Sequence, residues 1–241
     1  MTITVRAYLP EVDEETDEAI SDLMKVFCGA VRYSFKRLLE SGKTGDIEKV
    51  VTAKYGLNIR QAKDAVEEAR QIIVSQKEIL KLNYENSTKK VNAIEKILEQ
   101  DNLTERKRKA LIKKLDKRKR RQVYYEGFIN SGTIPPVIFG TKTLFIKRCK
   151  GQITREEWRA ARSSRVYSRG DKTKCGNPNL RVINENGETF LEVSTLGRTD
   201  MNRAVKIRTP LYLPQKLSRK TGTLNAYCTP FSRYSGLKRT A

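Results

Sequence analysis

The chain has 241 residues, with 49 Lys and Arg against 28 Asp and Glu and no histidine, a formal charge of 49 − 28 = +21. The missing histidine excludes Ser–His and Cys–His catalytic pairs, a histidine general base and zinc fingers of the mixed cysteine–histidine type. A cationic surplus of this size points to polyanionic partners, nucleic acid first, and 38% hydrophobic residues suit a globular chain of one or two domains.

Residues 2–9 alternate, with Ile3, Val5, Ala7 and Leu9 on one face, which predicts a strand ended by Pro10. The start of the chain has neither the basic residues nor the apolar run of a secretory signal. The acids Glu11, Asp13, Glu14, Glu15, Asp17 and Glu18 read as the dipole-matched first turn of a helix rather than as metal ligands. Ile20, Leu23, Phe27, Val31, Phe35 and Leu38 continue that helix, and Gly42 stops it. A second helix is predicted over 58–82, and a third, capped by Asn86 or Ser87, carries Val91, Ile94 and Leu98. A fourth begins at the cap Thr104 with Leu111, Leu115 and Val123 facing inward, so residues 86–126 are expected to form a helical hairpin.

Beyond residues 132–136 (Gly-Thr-Ile-Pro-Pro) the helical period fades. Short strands are predicted at 137–139, 144–147, 180–183, 189–194, 205–208 and 211–213, with Asn184-Glu185-Asn186-Gly187 as a hairpin turn. One short helix over 155–163 interrupts them, capped by Thr154. The fold class is α+β, with the first strand joining the later ones in one small barrel and the helices inserted between. Cys28, Cys149, Cys175 and Cys228 lie far apart, which argues against a disulfide framework or a four-cysteine zinc site. No window approaches 18 apolar residues, so no membrane partner is expected. The expected setting is a reducing cell interior.

Charge is concentrated in three places. Residues 104–126 hold eleven cations against three acids; a solvated hairpin face is the bland reading of any one of them, but Lys117, Arg118, Lys119, Arg120 and Arg121 surround the helix and repel one another until an anion binds. Residues 142–174 again hold eleven against three, interleaved with Phe145, Trp158 and Tyr167. Arginine suits bidentate phosphate contacts and aromatic faces suit unpaired bases, although a lone tryptophan is more often a core anchor than a base platform. The loop-like Tyr167-Ser168-Arg169-Gly170-Asp171-Lys172 allows close backbone approach to a ligand. Residues 198–241 hold ten cations and one acid, Asp200.

Catalytic patterns are missing. Gly42-Lys43-Thr44 ends like a P-loop, but position 37 is arginine where the first glycine belongs, and no dinucleotide-binding or nucleophile-elbow motif occurs. The acids after 142 suggest no two-metal phosphodiester site. No residue is assigned a catalytic or metal-ligating role.

A long phrase is more specific than any of these motifs. Its parts are Ile134-Pro135-Pro136-Val137-Ile138-Phe139-Gly140, Lys150-Gly151-Gln152-Ile153-Thr154-Arg155-Glu156-Glu157-Trp158-Arg159, Tyr167-Ser168-Arg169-Gly170-Asp171-Lys172-Thr173-Lys174 and Gly176-Asn177-Pro178-Asn179-Leu180-Arg181. Together with Gly56-Leu57-Asn58-Ile59-Arg60-Gln61-Ala62 and Leu211-Tyr212-Leu213-Pro214-Gln215-Lys216-Leu217-Ser218, it resembles the N-terminal half of TnpB-like proteins, transposon-encoded RNA-guided DNA nucleases related to type V CRISPR effectors. The likeness covers roughly residues 1–225.

The resemblance implies an oligonucleotide-binding-like wedge barrel interrupted by a helical recognition domain. Its boundaries are 1–10 for the first barrel strand, 11–132 for the recognition domain, 133–225 for the rest of the barrel and 226–241 for a basic tail unlike the family's continuation. It implies guide RNA and target DNA as partners. The RNA-binding candidates are Arg118, Lys119, Arg120, Arg121, Lys147, Arg148, Lys150, Arg155, Trp158, Arg159, Arg162, Arg165, Tyr167, Arg169, Lys172 and Lys174. By analogy Asn58, Arg60, Gln61 and Lys77 read a short DNA motif, the competing reading of each being an ordinary exposed helix residue. The family's RuvC-like nuclease domain does not appear in these 241 residues, so Mg2+ enters only with a nuclease partner.

The expected function is the guide-RNA-binding and target-recognition lobe of such a complex, in a prokaryotic cytoplasm at the nucleoid. The alternatives are half of a split RNA-guided endonuclease that cleaves only with a nuclease chain in trans, and a nuclease-free RNA-guided repressor; a separate nuclease chain or a second protomer is a candidate partner. A generic basic protein of the ribosomal kind is the bland reading, and the long family-like phrase argues against it.

Overall fold

A computed structural model describes residues 7–100, 103–170, 176–201 and 203–212. The chain divides into two compact units, residues 1–69 with 138–241, and residues 70–137.

The first unit is mixed helix and sheet. Helix α1 (Glu14–Leu39) starts where the acids predicted, with the Asp13 carboxylate accepting the Thr16 N–H at 2.8 Å. Leu23, Phe27, Ala30, Val31 and Phe35 form its buried stripe. At its end Ser41 takes the left-handed conformation and Gly42 donates its N–H to the Arg37 carbonyl at 2.9 Å. Helix α2 (Thr44–Tyr55), absent from the sequence expectations, buries Ile47 and Val51 and packs on α1. Its short apolar stripe is weak, and Gly56, left-handed at φ +64°, ends it. Helix α3 (Ile59–Leu98) contributes its first turns here, burying Ala62, Ala65, Val66 and Ala69.

Helix α5 (Lys142–Cys149) stands where a strand was predicted at 144–147. A four-residue apolar run fits either structure, and the Thr141 hydroxyl, accepting the Leu144 N–H at 3.2 Å, starts a helix. Residues 137–139 form no strand. Helix α6 (Arg155–Ala161) follows the prediction, with a full capping box between Thr154 and Glu157. Strands β1 (Leu180–Glu185), β2 (Glu188–Arg198) and β3 (Ala204–Pro210) form an antiparallel sheet in that order, and α1 packs on β2. The β1–β2 turn places Asn186 at φ +53° and Gly187 at φ +86°, the two-residue hairpin geometry expected from Asn-Gly.

The architecture is α+β, and the sheet is open among the described residues. Residues 2–6 of the predicted strand at 2–9, and residue 213 of that at 211–213, lie outside those residues. What is described of them is an antiparallel bridge, Tyr8 N–H to the Tyr212 carbonyl at 3.0 Å and the reverse at 2.8 Å.

The second unit is a helical hairpin. Helix α3 runs on without a break at 86–87, so the predicted third helix is its continuation. Leu80, Tyr84, Ser87, Val91, Ile94 and Leu98 repeat every four and three residues through that point, and Ser87 is buried with its hydroxyl toward the Arg118 carbonyl at 3.4 Å. Helix α4 (Glu105–Asn130) turns Leu111, Leu115, Arg118, Gln122, Tyr125 and Phe128 to a matching seam. Gln122 donates to the Thr88 hydroxyl at 3.0 Å, and Lys119 pairs with Glu95 at 2.7 Å. Val123, expected inside, is exposed. No helix among the described residues is long and apolar enough to cross a membrane.

Candidate nucleic-acid interface

In the first unit the segment 162–170 is fastened to α1 and α3. Arg32 donates to the Arg162 carbonyl at 2.8 Å and the Cys28 thiol to the Arg165 carbonyl at 3.2 Å. Arg165 pairs with Glu68 at 2.5 Å. Burial raises the Glu68 carboxyl above its ordinary pKa even with Arg165 beside it.

Ser168 is the tightest point of this attachment. Its hydroxyl oxygen lies 2.8 Å from Asp64 Oδ2 and 3.0 Å from Asn177 Oδ1, and all three residues are buried. Asn177 Oδ1 already accepts the N–H groups of Asn179 and Leu180, which fixes its amide orientation. One serine proton satisfies only one of the two oxygens while Asp64 is ionised. Protonation of Asp64 would let it donate to Ser168 and free the serine proton for Asn177. Burial raises the Asp64 carboxyl in the same direction, against the Ser168 and Arg169 hydrogen bonds. The loop expected to let a ligand approach its backbone is therefore anchored at Ser168, its second residue.

Two of the residues assigned to DNA-motif readout are occupied inside the protein. Asn58 Oδ1 accepts the Gln61 N–H at 2.8 Å, and Gln61 Oε1 accepts the Asn58 N–H at 3.0 Å, a reciprocal cap on α3. The Asn58 amide also donates to Asn179 Oδ1 at 3.0 Å and the Gln61 amide to the Ser194 carbonyl at 2.9 Å. Gln61 is 2% exposed. These bonds tie α3 to β2 and to the loop before β1, which corrects the expectation that the pair faces DNA. Arg60 is half-buried on the first turn of α3, and Lys77 is exposed in the second unit.

The RNA-binding candidates separate similarly. The Trp158 ring packs 5.9 Å from Phe145, and the Arg162 guanidinium lies over it at 5.1 Å. A side chain at Gly140 would meet the indole at 3.2 Å, so Trp158 anchors the α5–α6 corner rather than standing open. Arg162 and Arg165 are engaged as described, and Tyr167 is half-buried. Lys172 and Lys174 lie outside the described residues. Lys147, Arg148, Lys150, Arg155, Arg159 and Arg169 are exposed, with no carboxylate within 4.0 Å among the described residues. All but Arg169 lie on α5, α6 and their connection. In the second unit Lys119 and Arg120 pair with Glu95 and Asp116, Arg118 is half-buried in the seam, and Arg121 is exposed.

Two features fall outside the sequence reading. Tyr33 and Tyr55 sit 6.0 Å apart with the Lys54 ammonium over both rings. A cleft of about 690 Å3 between the first turns of α1 and strands β2 and β3 has three acids in its lining, Asp13, Glu15 and Asp22, against one cation, Arg208, a balance that disfavours phosphate. Among the described residues no three acidic or thiol side chains gather as metal ligands.

The family model described as the SSO2105 N-terminal domain matches residues 2–219, and the chain belongs to that family. No curated protein and no solved structure matches the chain.

Proposed function

We propose that this member of the SSO2105 N-terminal-domain family is the guide-RNA-binding and target-DNA-recognition lobe of a TnpB-like RNA-guided complex. The observation that carries the nucleic-acid half of the reading is the set of exposed cations on α5, α6 and their connection, which no carboxylate neutralises among the described residues. Cations left unpaired on a rigid corner, held by Trp158 and the capping box, suit a phosphate backbone recognised by shape. The RNA-guided half rests on the resemblance of the long phrase from 134 to 181 to the TnpB-like half. The Tyr8–Tyr212 bridge supports a wedge barrel closed by the first strand.

Binding is electrostatic and geometric, with guide pairing supplying sequence specificity. Any cleavage belongs to a RuvC-type nuclease acting with this lobe, with Mg2+ held there. Purification of the chain from its native source, with sequencing of bound RNA and identification of bound protein, tests the reading. One discrete structured RNA is expected. Heterogeneous RNA with no preferred species refutes the guide-RNA assignment, and Mg2+-dependent cleavage with a copurifying nuclease chain identifies a split endonuclease.

A further inference from the structure

The outer face of α4 ends in an aromatic platform. Arg106, Lys113, Lys117, Arg120 and Tyr124 follow one another at intervals of seven, four, three and four, which places them along one side of the helix. The seam residues Leu111, Leu115, Arg118, Gln122 and Tyr125 lie on the other side. All five stripe residues are exposed, and Tyr124 is 51% exposed although aromatic. From 106 to 124 the stripe spans about 27 Å, enough for several successive phosphates. Arg120 is paired with Asp116 at 2.8 Å, whereas Arg106, Lys113 and Lys117 have no carboxylate within 4.0 Å among the described residues. The Tyr124 ring packs in T-shaped contacts, 5.0 Å to Phe128 and 5.7 Å to Tyr125. With half of its surface exposed, the Tyr124 side chain keeps ring area available for stacking.

The geometry points to a junction-binding strip: the cations of α4 hold the phosphates of a paired RNA stem while Tyr124 stacks on the first unpaired base beyond it. The proposal rests on the RNA-binding reading above and adds which part of the RNA this unit takes. Charge decides the occupant. A second copy laid along the same face would oppose one cationic stripe with another, whereas a polyanion relieves the repulsion. Stacking is tolerant of base identity, so the strip reads strandedness and not sequence.

The test uses the full chain and two labelled RNAs of equal phosphate number, a blunt stem and a stem with a short single-stranded tail. Tyr124→Ala is expected to weaken binding of the tailed RNA roughly fivefold to a hundredfold while leaving the blunt stem and the salt slope unchanged. Tyr124→Phe keeps the ring and is expected to bind like the parent. Tyr124→Leu, which preserves apolar contact with Phe128, should behave like the alanine variant and serves if alanine disturbs the hairpin. Lys113→Gln with Lys117→Gln should weaken both RNAs and lower the salt slope by about 1.8. Equal effects of Tyr124→Ala on the two RNAs, or loss of binding in Tyr124→Phe, overturns the stacking role. A change in oligomeric state on Tyr124→Ala without RNA overturns it in favour of self-association. Failure of the parent to bind either RNA refutes the RNA-binding reading itself.

Discussion

Replacing Lys147, Lys150, Arg155 and Arg159 together by glutamine isolates the charge of the α5–α6 corner. All four are exposed, and none has a carboxylate within 4.0 Å among the described residues, so the fold should tolerate the change. Arg155 opens α6, where a cation opposes the helix dipole, and Lys147 sits in the last turn of α5, where one is favoured by a few tenths of a kcal/mol. These effects oppose each other, and melting should hardly move. Binding should change greatly. With about six phosphate contacts the slope of log affinity against log salt is about −5.4, so raising salt from about 50 to about 200 mM weakens binding more than a thousandfold. Losing four contacts leaves a slope of about −1.8 and a loss of only about tenfold over that range. Anisotropy titrations of both proteins across salt measure this directly. A quadruple variant with the parent's slope removes the corner from the interface, and a flat response in the parent removes the electrostatic reading altogether.

Gln61→Ala, which deletes one side of the α3 cap and the bond to Ser194, is expected to lower stability by about 1–3 kcal/mol in chemical denaturation; an unchanged midpoint would return Gln61 to the surface. Two glycines should respond oppositely. A side chain at Gly42 meets the Arg37 carbonyl oxygen at 2.9 Å, so Gly42→Ala should be destabilising by about 1 kcal/mol or more, whereas nothing lies within 4 Å at Gly45 in the first turn of α2, and Gly45→Ala should be stabilising by up to about 1 kcal/mol. The raised Asp64 carboxyl predicts a pH dependence of its own. Because its folded pKa lies above the unfolded value near 3.8, the folded state binds the proton more tightly, and the contribution of this group to stability grows as pH falls from neutral through the folded value toward 3.8. Melting temperature against pH for the parent, minus that for Asp64→Asn, should show that rise on acidification; a difference independent of pH refutes the raised Asp64 pKa.

Periodicity carried most of the fold. The α1 stripe, the α6 capping box and the Asn-Gly hairpin each express a local rule strong enough to survive without tertiary context. The misses have equally local causes. Residues 144–147 form too short an apolar run to separate helix from strand, and only Thr141 in front of them marks a helix. Ser87 resembles a cap, yet it continues a seam of alternating four- and three-residue steps from Leu80 to Leu98, a longer signal than the cap itself. The anchoring of 162–170 was not legible, since Ser168, Asp64 and Asn177 meet only after the chain has folded across 113 positions.

Asn58 and Gln61 show why polar residues at a helix start are poor evidence of readout. The pattern Asn-x-x-Gln before an apolar stripe is a capping signature, and the structure uses both side chains for it in reciprocal bonds of 2.8 and 3.0 Å. A glutamine that caps its own helix and holds a sheet carbonyl cannot turn to a base edge without leaving buried polar groups unpaired. The cations of α5 and α6 differ in kind. No carboxylate among the described residues lies within 4.0 Å of Lys147, Arg148, Lys150, Arg155 or Arg159, and of these side chains Arg148 alone makes an internal hydrogen bond there, to the Ile153 carbonyl at 3.3 Å. In this chain the fold uses Asn58, Gln61 and Trp158 to hold itself together and leaves the cations of α5 and α6 at its surface, so a nucleic-acid reading belongs with the latter.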